Sequence, residues 1–243
     1  MWEWLITSVD PERTHLVTSG VSWHGRIMVF AWGFLSPLAI VMTRFAKILP
    51  WQNWPQELDN QTWWYSHLGG HLLAIILTVV GLWIVLFDDG NTGQHYVHRF
   101  LAYSLLVFVA FQVLSGLVRG SKGGPTAPAK DGSWHGDHYS MTSWRLYFEF
   151  FHKTIGYITL FLVFLTVPNG LWIANAPNWI FALLFSWWSV LLVCFFLLQR
   201  KGFAVETYQA IWGPDPQHPG NMMPPNGWGV KRPSDTFLTR AGE

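Results

Sequence analysis

The stretch Trp23-His24-Gly25-Arg26 opens an apolar run that ends at Arg44, and residues 27–43 include no Asp, Glu, Lys, Arg or His. A run of this length predicts a helix that spans a membrane. An imidazole about one turn inside such a helix is costly unless it has a partner, so His24 is a candidate functional residue. Gly25 beside it leaves room for a flat, bulky group against the backbone.

The composition also favours a membrane protein. Of the 243 residues, 51% are hydrophobic and only 12% are charged, whereas soluble domains carry about 25% charged residues. The 17 Trp suit the two interfaces of a bilayer. Cys194 is the only cysteine, which excludes an internal disulfide and a Cys-x-x-Cys-His motif for covalent haem attachment.

The hydrophobic pattern predicts an all-α, polytopic membrane helix bundle with five transmembrane helices. We expect these helices at about residues 22–44, 60–87, 96–118, 143–167 and 177–202. Ser36-Pro37 should kink the first helix, and Pro168-Asn169-Gly170 should end the fourth.

Four regions follow from this division of the chain: an extramembrane arm at 1–21, a four-helix core at 22–173, a fifth helix at 174–202 and a tail at 203–243. In the arm, Asp10-Pro11-Glu12-Arg13 predicts the start of a short interfacial helix that includes His15. The tail is rich in Pro and Gly, so we expect it to be disordered or to lie against a partner.

The distribution of basic residues predicts the orientation. If the N-terminus is on side A, the side A ends hold few cations, namely Arg13, Arg26 and Arg99. The side B ends hold many: Arg44, Lys47, Arg119, Lys122, Lys130, Arg145, Lys153, Arg200 and Lys201. The positive-inside rule makes side B cytoplasmic. We therefore expect a multi-pass plasma or inner membrane protein with its N-terminus outside and its C-terminus in the cytoplasm.

Four successive helices each carry a histidine near the N-terminal end. Because alternate helices enter from opposite sides, His24 and His98 should lie in the outer half, and His67 and His152 in the inner half. Two imidazoles from facing helices suit axial ligation of a b-type haem in each layer. A lone interfacial histidine usually bonds a carbonyl or a lipid headgroup, but four in this order favour two haems.

The residues alone leave some ligands open. His71 lies one turn from His67, and His95 lies close to His98, so each could replace its neighbour or contact a haem propionate. Cations near each layer could neutralise propionates or attract an anionic donor, or they could only mark the interface. They are Lys47, Arg145 and Lys153 on the inner side and Arg26 and Arg99 on the outer side.

Several motifs together resemble the eukaryotic-type cytochrome b561 family, whose members are often associated with DOMON domains. These motifs are His24-Gly25-Arg26-Ile27-Met28, then Ala31-Trp32-Gly33, Pro37 and Arg44; Trp63-Trp64-Tyr65-Ser66-His67 with Gly81; His98-Arg99-Phe100-Leu101-Ala102 with Gln112; and Phe151-His152-Lys153-Thr154-Ile155-Gly156. The resemblance covers about residues 22–173. The fifth helix and the tail lie outside it.

The resemblance implies two non-covalent haem b groups, one near each membrane face, and electron transfer across the bilayer. It selects His67 over His71 and His98 over His95 as ligands. The sequence departs from the family pattern because no extracellular haem- or sugar-binding domain of the kind often fused to this core precedes it. We therefore expect a stand-alone, bacterial-like version of the core. The expected partners are the lipid bilayer and a quinone or another small redox donor or acceptor. The chain would also form a homodimer or join a larger membrane redox complex. We expect no binding to nucleic acid. The alternative is an accessory subunit of such a complex.

Two other enzyme classes fit less well. His67-x-x-x-His71, His95-x-x-His98 and His135-x-x-His138 superficially resemble the histidine boxes of membrane di-iron enzymes, but the second pair should lie on the opposite membrane face. A flavin-linked reductase would need a second histidine deep in the third helix and a nucleotide-binding domain. In the tail, His218 with Met222-Met223 could bind a metal, although a solvated tail is the simpler interpretation.

Overall fold

The computed structural model describes residues 2–13, 17–88 and 95–235. Within these ranges, five helices are long and apolar enough to cross a membrane: α2 Ser19–Phe45, α3 Thr62–Leu86, α4 Tyr96–Leu117, α5 Ser143–Ile173 and α6 Asn178–Arg200. Two shorter helices, α1 Trp2–Ile6 and α7 Thr207–Trp212, lie before and after them, and a 3₁₀ turn follows at Pro219–Met222. The predicted all-α polytopic membrane bundle is therefore confirmed.

The chain divides into two compact units, and each of the five long helices contributes to both. The first unit contains Met1–Val41, Ser66–Phe108 and Ile158–Cys194; the second contains Met42–Tyr65, Val109–Tyr157 and Phe195–Glu243. His24, His67, His71 and His98 belong to the first unit, and His152 belongs to the second. Each unit is described below by itself.

A π-helical segment, Val29–Leu35, separates two α-helical halves of α2 and precedes the position of the predicted kink at Ser36-Pro37. It ends immediately before Ser36-Pro37, where proline supplies no N–H to an α-helical ladder. Trp188 of α6 donates from Nε1 to the carbonyl of Gly33 at 2.8 Å. A Cβ on Gly33 would lie 2.7 Å from Leu184 Cδ1, so glycine permits this close packing of α2 and α6.

The predicted end of the fourth helix is wrong, because α5 continues through Pro168 to Ile173. Helix interruption is costly in a bilayer, where no water satisfies freed backbone groups, and transmembrane helices therefore tolerate proline. The helix instead ends at Asn175, which has φ of 49°. The amide of Ala176 donates to the Leu171 carbonyl and that of Asn175 to the Trp172 carbonyl. These two bonds form a Schellman motif with Asn175 in the left-handed position that glycine usually takes.

The N-terminal arm also differs from the prediction. Its helix is α1, at Trp2–Ile6, while Asp10–Arg13 forms a turn in which the Glu12 amide donates to Asp10 Oδ1 at 3.2 Å. The segment after α5 holds the arm, because Asn175 Oδ1 accepts from the Asp10 amide at 3.0 Å and Asn178 Nδ2 donates to the Trp4 carbonyl at 3.0 Å. The Asp10 carboxylate is occupied by this turn, so no helix begins there. His15 lies outside the described residues.

The tail packs against its own chain within the second unit, over residues 203–235. Val205 and Ala210 form a buried apolar cluster with Ile48 and Trp54 of the loop between α2 and α3. Tyr208 of α7 is also fully buried. The tail cannot fold alone, but the apolar groups of that loop complete a small core, which composition does not reveal.

Candidate functional site

His24 of α2 and His98 of α4 lie together in the first unit. Their ring centroids are 6.5 Å apart and the rings are perpendicular. His24 donates from Nδ1 to the Gly81 carbonyl of α3 at 3.0 Å. A histidine that binds a metal typically uses its second nitrogen in this way, since the bond fixes the tautomer and the ring orientation. Nε2 of His24 is then the nitrogen available to a metal.

Two glycines allow the helices to approach these rings. A Cβ on Gly170 of α5 would lie 2.8 Å from His98 Cε1, and a Cβ on Gly81 would lie 3.7 Å from His24 Nδ1. Nδ1 of His98 is buried and has no hydrogen-bond partner among the described residues, although the Thr166 backbone also interacts with this ring. The surroundings of both rings are therefore uncharged backbone and small side chains.

The separation of the two rings matches the requirement for a metal between two imidazoles. Two imidazole–metal bonds of about 2.0–2.1 Å, together with the radii of the two rings, give a centroid separation of about 6.4 Å. The observed value is 6.5 Å. An ordinary edge-to-face ring pair spans about 4.5–7 Å, so the distance alone is not specific. The buried nitrogen of His98 and the orientation of His24 make the pair fit bis-histidine ligation of haem iron.

The other outer-side candidates lie beside this pair in sequence. A Cβ on Gly25 would meet no described atom within 4 Å, which is compatible with its predicted role beside a flat group. The Arg26 guanidinium stacks over the Trp23 ring, 5.1 Å from its centroid. Arg99 and His95 are exposed at the start of α4.

His67 and His71 share a face of α3 in the first unit. Their ring centroids are 4.7 Å apart and the rings are inclined at 75°. His71 Nδ1 lies 3.5 Å from the hydroxyl of Ser36 on α2. A Cβ on Gly70 would lie 2.8 Å from Ala39 Cβ, so α2 and α3 pack closely beside these histidines.

His152 is held by its own hydrogen bonds in the second unit. The Ser115 hydroxyl donates to the Gln112 carbonyl at 3.0 Å, so it accepts from Nδ1 of His152 at 2.8 Å. Gln112 Nε2 donates to the His152 carbonyl at 2.9 Å. With its proton on Nδ1, His152 presents an unprotonated Nε2, as His24 does.

A cavity of about 330 Å³ lies beside Ser115 in the second unit. Its walls are apolar and mostly aromatic, and they come from the end of α4 and the start of α5: Phe111, Leu114, Leu117, Val118, Trp144, Tyr147, Phe148 and Phe151. The Phe148 ring also packs against His152, with centroids 5.2 Å apart. An apolar, mostly aromatic wall therefore lies on one side of His152.

Arg145 and Lys153 are both paired with a carboxylate that the sequence prediction missed. Glu149 is only 5% exposed, and it accepts from Arg145 Nε at 3.0 Å and from Lys153 Nζ at 2.6 Å. Both partners lie four residues from Glu149, a spacing typical of helical ion pairs. That spacing was the available signal for this residue.

The burial of Lys47 and Glu206 in the second unit was also missed, because it depends on contacts between segments that are distant in sequence. Lys47 is 7% exposed and Glu206 is 1% exposed. Lys47 donates from Nζ to the Val205 carbonyl at 2.9 Å. Burial, followed by the charges of Lys153 and Arg44, lowers the pKa of Lys47 to about 7. Burial raises the pKa of Glu206.

The remaining histidines do not form the predicted metal alternatives within the described residues. No group of three or more His, Cys, Asp or Glu side chains there could hold a metal ion. His138 packs against the Tyr208 and Trp212 rings, and burial, followed by the charge of Arg145, lowers the pKa of His138 to about 3. His218 hydrogen bonds to Tyr208, and His135 bonds to Ser140 at 3.3 Å.

Comparison with known proteins finds several relatives in Arabidopsis thaliana that are named cytochrome b561 and DOMON domain-containing proteins. One is 28% identical over 150 residues, which are 60% of this chain and 30% of the relative. Two others are 26% and 27% identical over 155 and 154 residues, each 63% of this chain, and 32% and 31% of the relatives.

The chain spans about a third of the length of these relatives. No family model matches the sequence. No solved structure matches it.

Proposed function

We propose that the chain belongs to the cytochrome b561 family, carries two non-covalent haem b groups and transfers electrons across the membrane. The names of its relatives support the family. The main support is the His24–His98 pair. Its ring separation of 6.5 Å suits an iron between the two imidazoles, and the bond from His24 Nδ1 to Gly81 directs Nε2 to that role.

The proposed outer haem uses His24 and His98 as axial ligands. His24 is oriented by a backbone carbonyl, and Gly81 and Gly170 permit the close approach of α3 and α5 to the two rings. Gly25 gives space to the macrocycle, and Arg26 and Arg99 are the candidate partners of its propionates.

The proposed inner haem uses His67 and His152, which match the family's motifs. Support for His152 is its bond to Ser115, which keeps the proton on Nδ1. His71 would contact a propionate or a small substrate rather than the iron. Arg145 and Lys153 contribute positive charge on this side, partly balanced by Glu149.

Bound haem would supply one-electron chemistry at an iron that has no open coordination position. The reaction is then outer-sphere electron transfer, in which the protein fixes the orientation and the redox potential. Ligand layers about one turn inside each face of a roughly 30 Å bilayer core would be about 20 Å apart.

The orientation and the redox partners belong to the same proposal. The concentration of cations at the side B ends predicts a periplasmic N-terminus and a cytoplasmic tail. A quinol or a small soluble reductant would deliver electrons to one side, and an acceptor would remove them on the other. A homodimer or a larger redox complex would be compatible with this arrangement.

Haem content with matched histidine variants tests the proposal. Wild-type protein purified in detergent should contain about two b-type haems per chain. His98→Ala should lose one haem, whereas His95→Ala, three residues earlier at the start of the same helix, should keep both. His67→Ala should lose the other haem, and His71→Ala should keep it. A folded protein without haem would contradict the proposal, and the opposite result within either pair would overturn that ligand assignment.

A further inference from the structure

A network of buried charges lies within one turn of His152 in the second unit, and the proposed electron transfer does not use all of it. Glu149 and Lys153 lie three residues before and one residue after His152 on α5. Asn226 of the tail donates from Nδ2 to Glu149 Oε2 at 3.1 Å and from its backbone amide to Glu206 Oε1 at 2.7 Å. The hydrogen-bonded network therefore extends from α5 to Glu206.

Glu206 is the buried end of this network, and its charge acts on the buried Lys47. Neither group forms an ion pair among the described residues. Glu206 Oε2 is buried and has no hydrogen-bond partner among the described residues. Lys47 Nζ donates to the Val205 carbonyl at 2.9 Å and to the Arg44 carbonyl at 3.4 Å. Neutral carbonyls compensate only part of the cost of burying an ammonium group, and a carboxylate with an unsatisfied oxygen is also costly to keep ionised.

The charges around the two groups oppose one another. Lys153 and Arg44 disfavour the charged form of Lys47, whereas Glu149 and Glu206 favour it. Arg232 and Lys153 favour the charged form of Glu206, whereas Glu149 disfavours it. Burial is the largest effect on both: it lowers the pKa of Lys47 to about 7 and raises that of Glu206. Burial thus disfavours the charged form of each group.

We propose that Lys47 and Glu206 form a proton-binding site that takes up a proton from water when an electron reaches the haem ligated by His152. This inference rests on the proposed function. A one-electron reductant would supply the electron to the bound haem, and one proton from the solvent would bind to Lys47 or Glu206. Oxidation releases the electron to an acceptor and the proton to the solvent.

The physical reason is electrostatic coupling inside a buried region. An added electron makes the surroundings of α5 more negative, which raises the proton affinity of groups in the same network. Proton uptake in turn stabilises the reduced state. The midpoint potential of this haem should therefore fall as the pH rises through the neutral range.

Spectroelectrochemical titration of the full chain between pH 6 and 9 tests this coupling. For a one-electron couple the limit is about 59 mV for each tenfold change in proton concentration, and wild type should show a clear fraction of that slope near neutral pH. Lys47→Met keeps the apolar stem of the side chain, and Glu206→Gln keeps the oxygen that accepts from Asn226. Both variants should flatten the slope of midpoint potential against pH. Lys130→Met, at an exposed position in a loop of the same unit, should keep it.

Proton uptake by wild type, measured with a pH-sensitive dye during electrochemical reduction, decides the question even if a variant loses its haem. Uptake of a fraction of a proton per chain supports the proposal, and no uptake overturns it. A slope that persists unchanged in both haem-loaded variants also overturns it, while the two-haem function stands. A folded wild type without haem would overturn both.

Discussion

The histidine pair of the first unit and the charged network of the second unit stabilise buried polar groups by different means. Around His24 and His98 the neighbours are a backbone carbonyl and two glycines, with no ion pair to either ring among the described residues. Around Glu149 the neighbours are two cations and an amide. Neutral imidazoles need only one hydrogen bond and close packing, whereas a buried carboxylate needs opposite charge.

This difference predicts which substitutions each region tolerates. The first unit should be sensitive to added volume, because its site depends on glycines at helix contacts. The second should be sensitive to lost charge, because each ion of its network compensates another. Four measurements test this difference between the two units.

The largest effect should come from Glu149→Gln. The substitution leaves Arg145 and Lys153 without their shared carboxylate, and breaking a buried ion pair typically costs about 3–5 kcal/mol. Because Lys153 is 33% exposed, we expect the lower end of that range in thermal unfolding in detergent. Asp131→Asn, at an exposed position in a loop, should leave the unfolding midpoint almost unchanged. Equal effects of the two variants would remove the distinction between the regions.

Ser115→Ala should weaken haem binding at His152. Loss of a hydrogen-bonding partner behind a ligand typically reduces affinity about 10–100-fold, measured here as haem transfer to an apoprotein acceptor. The haem at His24 should not respond, because its ligand is oriented by a backbone carbonyl. Ser189→Ala on α6 serves as a control, since that hydroxyl bonds only to its own helix at the Phe185 carbonyl. Equal haem loss from both proposed sites would contradict this prediction.

Gly170→Ala should disturb the first unit through volume alone. The new methyl group would lie 2.8 Å from Cε1 of His98, and overpacking of this kind typically costs about 1–3 kcal/mol. The haem spectrum should change together with the stability. At Gly116 an added Cβ meets no described atom within 4 Å, so Gly116→Ala should be neutral or stabilising by up to about 1 kcal/mol. If Gly170→Ala changes neither the stability nor the haem spectrum, His98 has room to move.

The change in the free energy of unfolding with pH should be the smallest of the four effects when it is expressed per pH unit. Because the pKa of Lys47 is lowered to about 7 in the folded protein, the unfolded chain binds more protons between about pH 7 and 10.4. The free energy of unfolding should therefore rise with pH in that window, by less than about 1.4 kcal/mol per unit from this group. Lys47→Met should reduce the rise, and an identical pH profile would show that Lys47 stays charged.

Local features of the sequence predicted much of the fold. The five spans and their approximate starts follow from apolar length and interfacial residues, because the thickness of a bilayer acts on each segment separately. The end of α5 was missed because both Gly170 and Asn175 can follow a helix, and only the contacts decide between them. Gly170 faces His98, whereas Asn175 adopts the left-handed conformation and binds the arm.

In the candidate site, too, the residues with a local sequence signal could be predicted and the long-range contacts could not. The histidines could be selected from the sequence because an imidazole inside an apolar helix is rare and costly. The hydrogen bond from His24 to Gly81 could not, because it joins residues 57 positions apart. Glu149 had a local signal in its spacing from Arg145 and Lys153, whereas Glu206 had none.

The amino-acid sequence alone was enough to predict five membrane-spanning helices and at least one histidine near the start of each of four of them. Both are properties of short segments, which hydrophobicity and helical period express directly. Only the tertiary structure decided that the tail buries Val205 against Ile48 and brings Glu206 close to Lys47. Those contacts depend on packing between segments far apart in the chain, and no local pattern encodes them.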